Sequence, residues 1–211
     1  MKIKICVPVI GKTFSKFLKN LDRVQENFPM VELRVDEIKN LSEKDLLVIR
    51  KRTTKESILT SRKTAIIIKA LDLKFDFVDV EFSLFPELNL SKDHKSKVIL
   101  SFHDYEKTPS LKKLTEIVDN MRKFNVGVLK IATMINCDED IKTLFKILLN
   151  KKENEKIIVI GMGEKGQVTR IIGPLLGSFL TFASSEFGKS APGQIDINMM
   201  KSTYKLLVTN H

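Results

Sequence analysis

The chain has 211 residues, 43% of them from AVILMFWYC and 29% charged, which suits one globular domain, two at most, with enough apolar surface for a core. Its longest apolar runs, residues 46–49, 65–68 and 157–160, fall far below the ~18 residues of a membrane span, so no membrane contact is expected. The net charge of +10 raises nucleic acid as a partner, but the lysines are scattered, Trp is absent and only two Tyr occur; a solvated surface is the better reading, and no nucleic-acid partner is expected.

The opening, MKIKICVPVIGK, is a short apolar run broken by Pro8 with no small-residue cleavage site behind it. It predicts a first strand at 3–10 rather than a signal peptide, and a cytoplasmic protein. A helix follows at 15–27, with Phe14, Phe17, Leu18, Leu21 and Val24 at helical spacing. The pattern then alternates: strand 30–36, helix from Ser42 to Ile49, strand 57–62, short helix 63–70, strand 75–83. LFPELNLSKDHK is the weakest helix candidate in the chain. Beyond it come strand 97–104, helix 109–124 with Pro109 near its first turn, strand 126–133 and helix 139–150. Strand 156–161, helix 166–176, strand 179–183 and helix 195–207 close the series.

Eight such βα units predict a parallel sheet, because parallel neighbours need a crossover that packs back on the sheet. A single closed (β/α)8 barrel over 1–211, at about 25 residues per unit, requires some shortened helices. An open doubly wound sheet is the alternative. Cys6 lies in the first strand pattern and Cys137 beside a helix start, with no CxxC and no Cys/His cluster. Neither a disulfide framework nor a metal site is indicated.

The ionisable residues inside strands separate the two architectures. Glu32 and Arg34 interrupt VELRVD, Arg62 ends ILTSR, Asp79 and Glu81 alternate through FDFVDVEFS, His103 and Asp104 end ILSFHD, and Lys130 sits in VGVLKIATM. Charges in strands are costly unless they face one another or a ligand. A barrel brings the carboxyl ends of all its strands to one mouth, and the pattern therefore favours it. Lys130 either pairs with Asp79 or Glu81 or reaches solvent, or it is a desolvated amine that loses its proton readily and attacks a carbonyl. His103, in an apolar strand, is either a satisfied core histidine or a general base beside that amine; His94 and His211 are expected in solvent.

Gly161, Gly163 and Gly166 spell G-x-G-x-x-G after a strand, with Glu186 twenty residues beyond. Only residues 167–211 follow, too few for the rest of a dinucleotide-binding domain, so NAD is not expected. The turn reads instead as backbone passing close to a substrate, or as the phosphate site common after strands 7 and 8.

In order along the chain, VELRVD, SFHDYEKTP, VLKIATM, IGMGEKGQVTRIIG, GSFLTFA and SAPGQI resemble the type I 3-dehydroquinate dehydratases, the Schiff-base class of the shikimate pathway. The resemblance implies a (β/α)8 barrel, commonly a homodimer, using no metal or cofactor and converting 3-dehydroquinate to 3-dehydroshikimate with loss of water. It assigns Lys130 to the imine, His103 to proton transfer and Arg170 to a bidentate grip on the substrate carboxylate. Ser190, Ala191 and Gln194 would close over the substrate. Glu32, Arg34 and Arg62 would hydrogen-bond its ring hydroxyls, and Met162 and Phe182 would wall the imine. Glu32 or a neighbouring carboxylate would orient the imidazole. Where family members often follow this arginine with an acidic residue and two glycines, this chain reads RKTAIII, so one carboxylate is missing or replaced. No fusion to a shikimate dehydrogenase is expected. Two rivals remain: carbon–carbon bond chemistry on phosphorylated substrates, as in class I aldolases, and a non-catalytic basic module.

Overall fold

The structure, a computed structural model, describes residues 3–208; His211 lies outside the described residues. Eight parallel strands are present: β1 (Ile5–Val9), β2 (Met30–Arg34), β3 (Glu56–Thr60), β4 (Phe77–Glu81), β5 (Val98–Asp104), β6 (Val128–Met134), β7 (Ile157–Met162) and β8 (Thr181–Phe182). They are ordered β7-β6-β5-β4-β3-β2-β1-β8, without the reversal a doubly wound sheet requires. At the seam between β7 and β8, Phe179 N donates to Ile157 O at 2.8 Å. The Ser178 hydroxyl accepts from Val159 N at 3.4 Å and donates to Leu180 O at 3.1 Å. The sheet is a nearly closed (β/α)8 barrel.

The helices are α1 (Phe14–Asn27), α2 (Glu43–Arg52), α3 (Thr64–Asp72), α4 (Lys92–Ser96), α5 (Leu111–Arg122), α6 (Asp138–Leu149), α7 (Gln167–Leu175) and α8 (Ile197–Val208). Thr13 caps α1 by accepting from Lys16 N at 3.3 Å, and Ser42 and Asp45 form a reciprocal capping box on α2. The weak segment between β4 and β5 folds as a 3-10 turn at Phe85–Glu87 and the five-residue α4. Several expected boundaries shift. β2 stops at Arg34 because Asp36 turns back onto its guanidinium, with bonds of 2.9 and 2.7 Å. Ser110 caps α5, so Pro109 precedes the cap rather than entering the first turn. β8 is two residues long, although Thr181 N and Ala183 N still donate to β1-side carbonyls of Lys4 and Cys6.

Side chains alternate across the sheet with period two, and the two faces have different compositions. Outward residues such as Val7, Leu33, Leu59, Val80, Leu100 and Ile131 join Phe17, Leu21, Leu46, Ile67 and Leu144 in the core between sheet and helices. Inward residues Cys6, Met30, Ile58, Ile99, Val128, Ile158 and Leu180 form a separate apolar plug, closed below by Phe77 and Phe179 in an edge-to-face pair. One pleat further along, the inward positions of β2 to β6 turn polar while Ile160 on β7 and Phe182 on β8 stay apolar, and there the site begins. No described helix is long and apolar enough to cross a membrane.

Phe17 is fully buried in the outer core. Phe17→Ala should cost about 3–5 kcal/mol of stability, read as a lowered urea midpoint with an unchanged slope.

Candidate active site

Inward positions above the plug are Glu32 and Arg34 on β2, Thr60 on β3, Asp79 and Glu81 on β4, Ser101 and His103 on β5, and Lys130 on β6. Together with Arg62, Met162, Arg170, Phe182, Ser190, Ala191 and Gln194, most of them line one cavity of about 100 Å³ at the carboxyl ends of the strands. Every residue that the sequence placed in the site lines it.

Lys130 pairs in register with Ser101, and Ala132 with His103, so the imidazole stands one inward step above the amine on the adjacent strand. Lys130 is 8% exposed; its Nζ lies 2.8 Å from Asp79 Oδ2 and 5.0 Å from the centre of the Phe182 ring. Asp79 is fixed by the Ser101 hydroxyl at 2.7 Å. Of the two readings of Lys130, the structure shows the pair with Asp79. Burial does work against the ammonium, but the charges of Asp79, Glu32 and Glu81 and the bond to Asp79 outweigh it, and the amine is held above its ordinary value. The same attraction holds Asp79 below the usual carboxylate range against the burial that would raise it. Lys130 is thus both buried and paired, and in the resting site it does not lose its proton readily.

Glu32 does not orient the imidazole. Its oxygens accept from the Thr60 hydroxyl at 3.1 Å and the Ser190 hydroxyl at 3.0 Å. The carboxylate at His103 is Glu81, with Oε2 2.6 Å from Nδ1. Asp104, next in sequence, leaves the cavity and accepts from Glu106 N and Lys107 N, forming the turn after β5. Tyr105 stacks on the His103 ring, with centroids 5.7 Å apart and planes 7° from parallel.

Arg170 sits in the first turns of α7, where Thr169 Oγ1 accepts from Gly161 N and donates to Gly166 O, both at 2.7 Å. The Tyr204 hydroxyl of α8 donates to Arg170 O at 2.9 Å. The guanidinium is 1% exposed. It donates to Pro192 O at 3.1 Å, while Nε has no partner and no carboxylate among the described residues is paired with it. Burial pushes it down to about 10, only partly opposed by Glu32, so it keeps its charge at neutral pH. A buried guanidinium with a free donor suits an anion, a carboxylate above all.

The last loop is tied across the mouth. Gln194 Oε1 accepts from Ser190 N at 2.8 Å, its Nε2 donates to Ser190 Oγ at 3.0 Å, and Arg34 donates to Ser190 O at 3.0 Å. Gly161, within β7, and Gly163 and Gly166 after it are closely packed by their neighbours. A Cβ on Gly161 would meet Gly166 Cα at 3.0 Å, and one on Gly193 would meet Gly163 O at 2.1 Å. Five further cavity residues, Thr60, Tyr105, Ala132, Ile160 and Pro192, carried no assigned role in the sequence. For Tyr105 the signal was its place in HDYEKTP; for Thr60 it was the period-two spacing from Arg62.

A parallel barrel with a buried lysine, a carboxylate-bound histidine and an arginine at its mouth defines a class of protein: a (β/α)8 enzyme acting on a small anionic carbonyl compound. The model of the Type I 3-dehydroquinase family matches residues 5–211. A 3-dehydroquinate dehydratase of Coxiella burnetii is 39% identical, covering 96% of this chain and 92% of its own. That of Methanocaldococcus jannaschii is 38% identical, covering 96% and 98%. The crystal structure of the Geobacillus kaustophilus 3-dehydroquinate dehydratase superposes with a TM-score of 0.87, covering 99% and 92%, at 22% identity, a likeness of fold. The chain belongs to the type I 3-dehydroquinase family.

Asp79→Asn leaves a buried ammonium without its partner. It should cost about 3–5 kcal/mol at neutral pH. Because burial then acts against the charge with less opposition, the loss should shrink as pH rises and the amine discharges; urea unfolding at pH 7 and pH 10 reads the difference.

Proposed function

We propose that this chain, as a type I 3-dehydroquinate dehydratase, removes water from 3-dehydroquinate through an imine on Lys130, with His103 moving the protons. The observation that carries this reading is a buried lysine and a carboxylate-bound histidine on adjacent strands, facing a buried arginine with no counter-charge of its own. A proton beside a plain ketone is too weakly acidic for an imidazole to remove efficiently. Conversion to a protonated imine supplies the electron sink.

Lys130 Nζ, once its proton has left the Asp79 pair, adds to the ketone carbon; the carbonyl oxygen departs as water and a C=N bond forms. The ring nitrogen of His103 opposite Glu81 takes the adjacent proton, and the C–H electrons become the enamine double bond. The enamine then pushes out the β-hydroxyl, which leaves as water with the proton His103 returns. A water molecule hydrolyses the conjugated imine and frees Lys130, so the net change is the loss of one water. Arg170 holds the substrate carboxylate in ground and transition states alike, and Phe182 and Met162 keep bulk water from the imine. Ser190 and Gln194 close the loop over the ring, and Glu32 and Arg34 meet its hydroxyls. Phosphorylated substrates are disfavoured because backbone fills the glycine turn that would hold the phosphate. A second copy of the chain, expected from the resemblance, completes the proposal as a homodimer, to be read by sedimentation.

Borohydride with 3-dehydroquinate should add the reduced ligand mass to the peptide carrying Lys130; labelling elsewhere, or none, removes the mechanism. Lys130→Ala should abolish the ultraviolet signal of the conjugated product, and His103→Ala should lower kcat at least a hundredfold while labelling of Lys130 persists. Arg170→Ala should raise KM more than it lowers kcat.

A further inference from the structure

The imidazole-binding carboxylate comes from an unexpected element. After Arg62 the chain carries RKTAIII, and Ile66 is buried in the core between sheet and helices, so α3 supplies no acid to the site. Instead Glu81 reaches in from β4. Its Oε2 is claimed twice, by Nδ1 of His103 at 2.6 Å and by NH1 of Arg62 at 2.8 Å. Arg62 also donates through NH2 to the Tyr105 hydroxyl at 3.4 Å, and Tyr105 lies flat on the imidazole. The four side chains form a closed ring at the mouth on the β3–β5 side.

We propose that Glu81 is the positioning residue of His103 in this chain, and that Arg62 acts through Glu81 rather than on the substrate. The proposal rests on the imine reading above. An ionised carboxylate only accepts, so its contact fixes the proton on Nδ1 and leaves the other ring nitrogen as the basic one, facing the cavity. Arg62 holds the same oxygen from the other side, which keeps Glu81 from swinging away toward solvent or toward Lys130. Glu81 itself is held below the usual carboxylate range by His103 and Arg62 against its burial, so it accepts throughout the neutral range. Tyr105 restricts the remaining freedom of the ring by covering one face.

The test separates positioning from structure and from imine chemistry. Glu81→Leu should lower kcat at least a hundredfold with KM within threefold, while borohydride still labels Lys130 and deuterium exchange of the substrate proton next to the imine slows in step with kcat. Glu81→Gln can still accept from Nδ1 but without charge, and should lose about tenfold in kcat. Arg62→Met should fall like Glu81→Gln, and the pair of changes Arg62→Met with Glu81→Leu should be no worse than Glu81→Leu alone. A loss under threefold in Glu81→Leu overturns the proposal; if that variant does not fold, a loss under threefold in Glu81→Gln does so. Loss of Lys130 labelling in parallel with kcat also overturns it, as does an additive double variant with raised KM, which would return Arg62 to the substrate. Failure of the unmodified enzyme to label at Lys130 would instead remove the imine reading itself.

Discussion

The site depends on the pleat of a closed parallel sheet. Side chains alternate strictly in and out, and all eight strands run the same way, so each inward position belongs to a level shared around the barrel. The lowest inward level is apolar, from Cys6 through Leu180, and excludes water from beneath. The next holds Glu32, Asp79, Ser101 and Lys130, and the uppermost holds Arg34, Glu81, His103 and Met162. A register slip of one residue would exchange the entire site for the outer core. The valines and leucines on the outer face prevent that slip, since they would then face a cavity of charges.

Charge within the mouth is balanced rather than uniform. Lys130 is answered by Asp79, Arg34 by Asp36, and Arg62 by Glu81. Arg170 alone among these cations lacks a paired carboxylate. That imbalance leaves one buried, unpaired positive charge in the wall of the cavity. It also explains how a protein of net charge +10 can be selective without a basic surface patch: the positive potential that matters is one guanidinium shielded from water. The Lys130–Asp79 pair protects the amine in a neighbouring way. It stabilises a buried charge in the resting site.

The loop between β8 and α8 unites these parts. Ser190 bonds Glu32, Arg34 and Gln194, and Pro192 O accepts a hydrogen bond from Arg170. The contacts to Glu32 and Arg34 join this loop to β2 and the contact to Arg170 joins it to α7, while Gly193, at φ +74°, permits the close approach to Gly163 O.

The order of strands and helices, the inward alternation of charges and many of the residues at the mouth were legible in the chain, because period-two and helical spacings are local and the motifs are contiguous. Lys130 and His103 stood out as ionisable residues in apolar strands, and Arg170 was named through the resemblance carried by the motifs in combination. Partner choice within the mouth was not legible. Glu32, Asp79 and Glu81 are equivalent in a string of letters, and only the barrel's register places Asp79 against Lys130 and Glu81 between Arg62 and His103. For the same reason only the structure decides between the two readings of Lys130, in favour of the pair with Asp79, and glycines that resembled a nucleotide fingerprint pack backbone on backbone. Sequence determined which groups meet; tertiary structure decided which of them are paired, because pairing energies depend on distances of a few ångströms across strands that lie tens of residues apart.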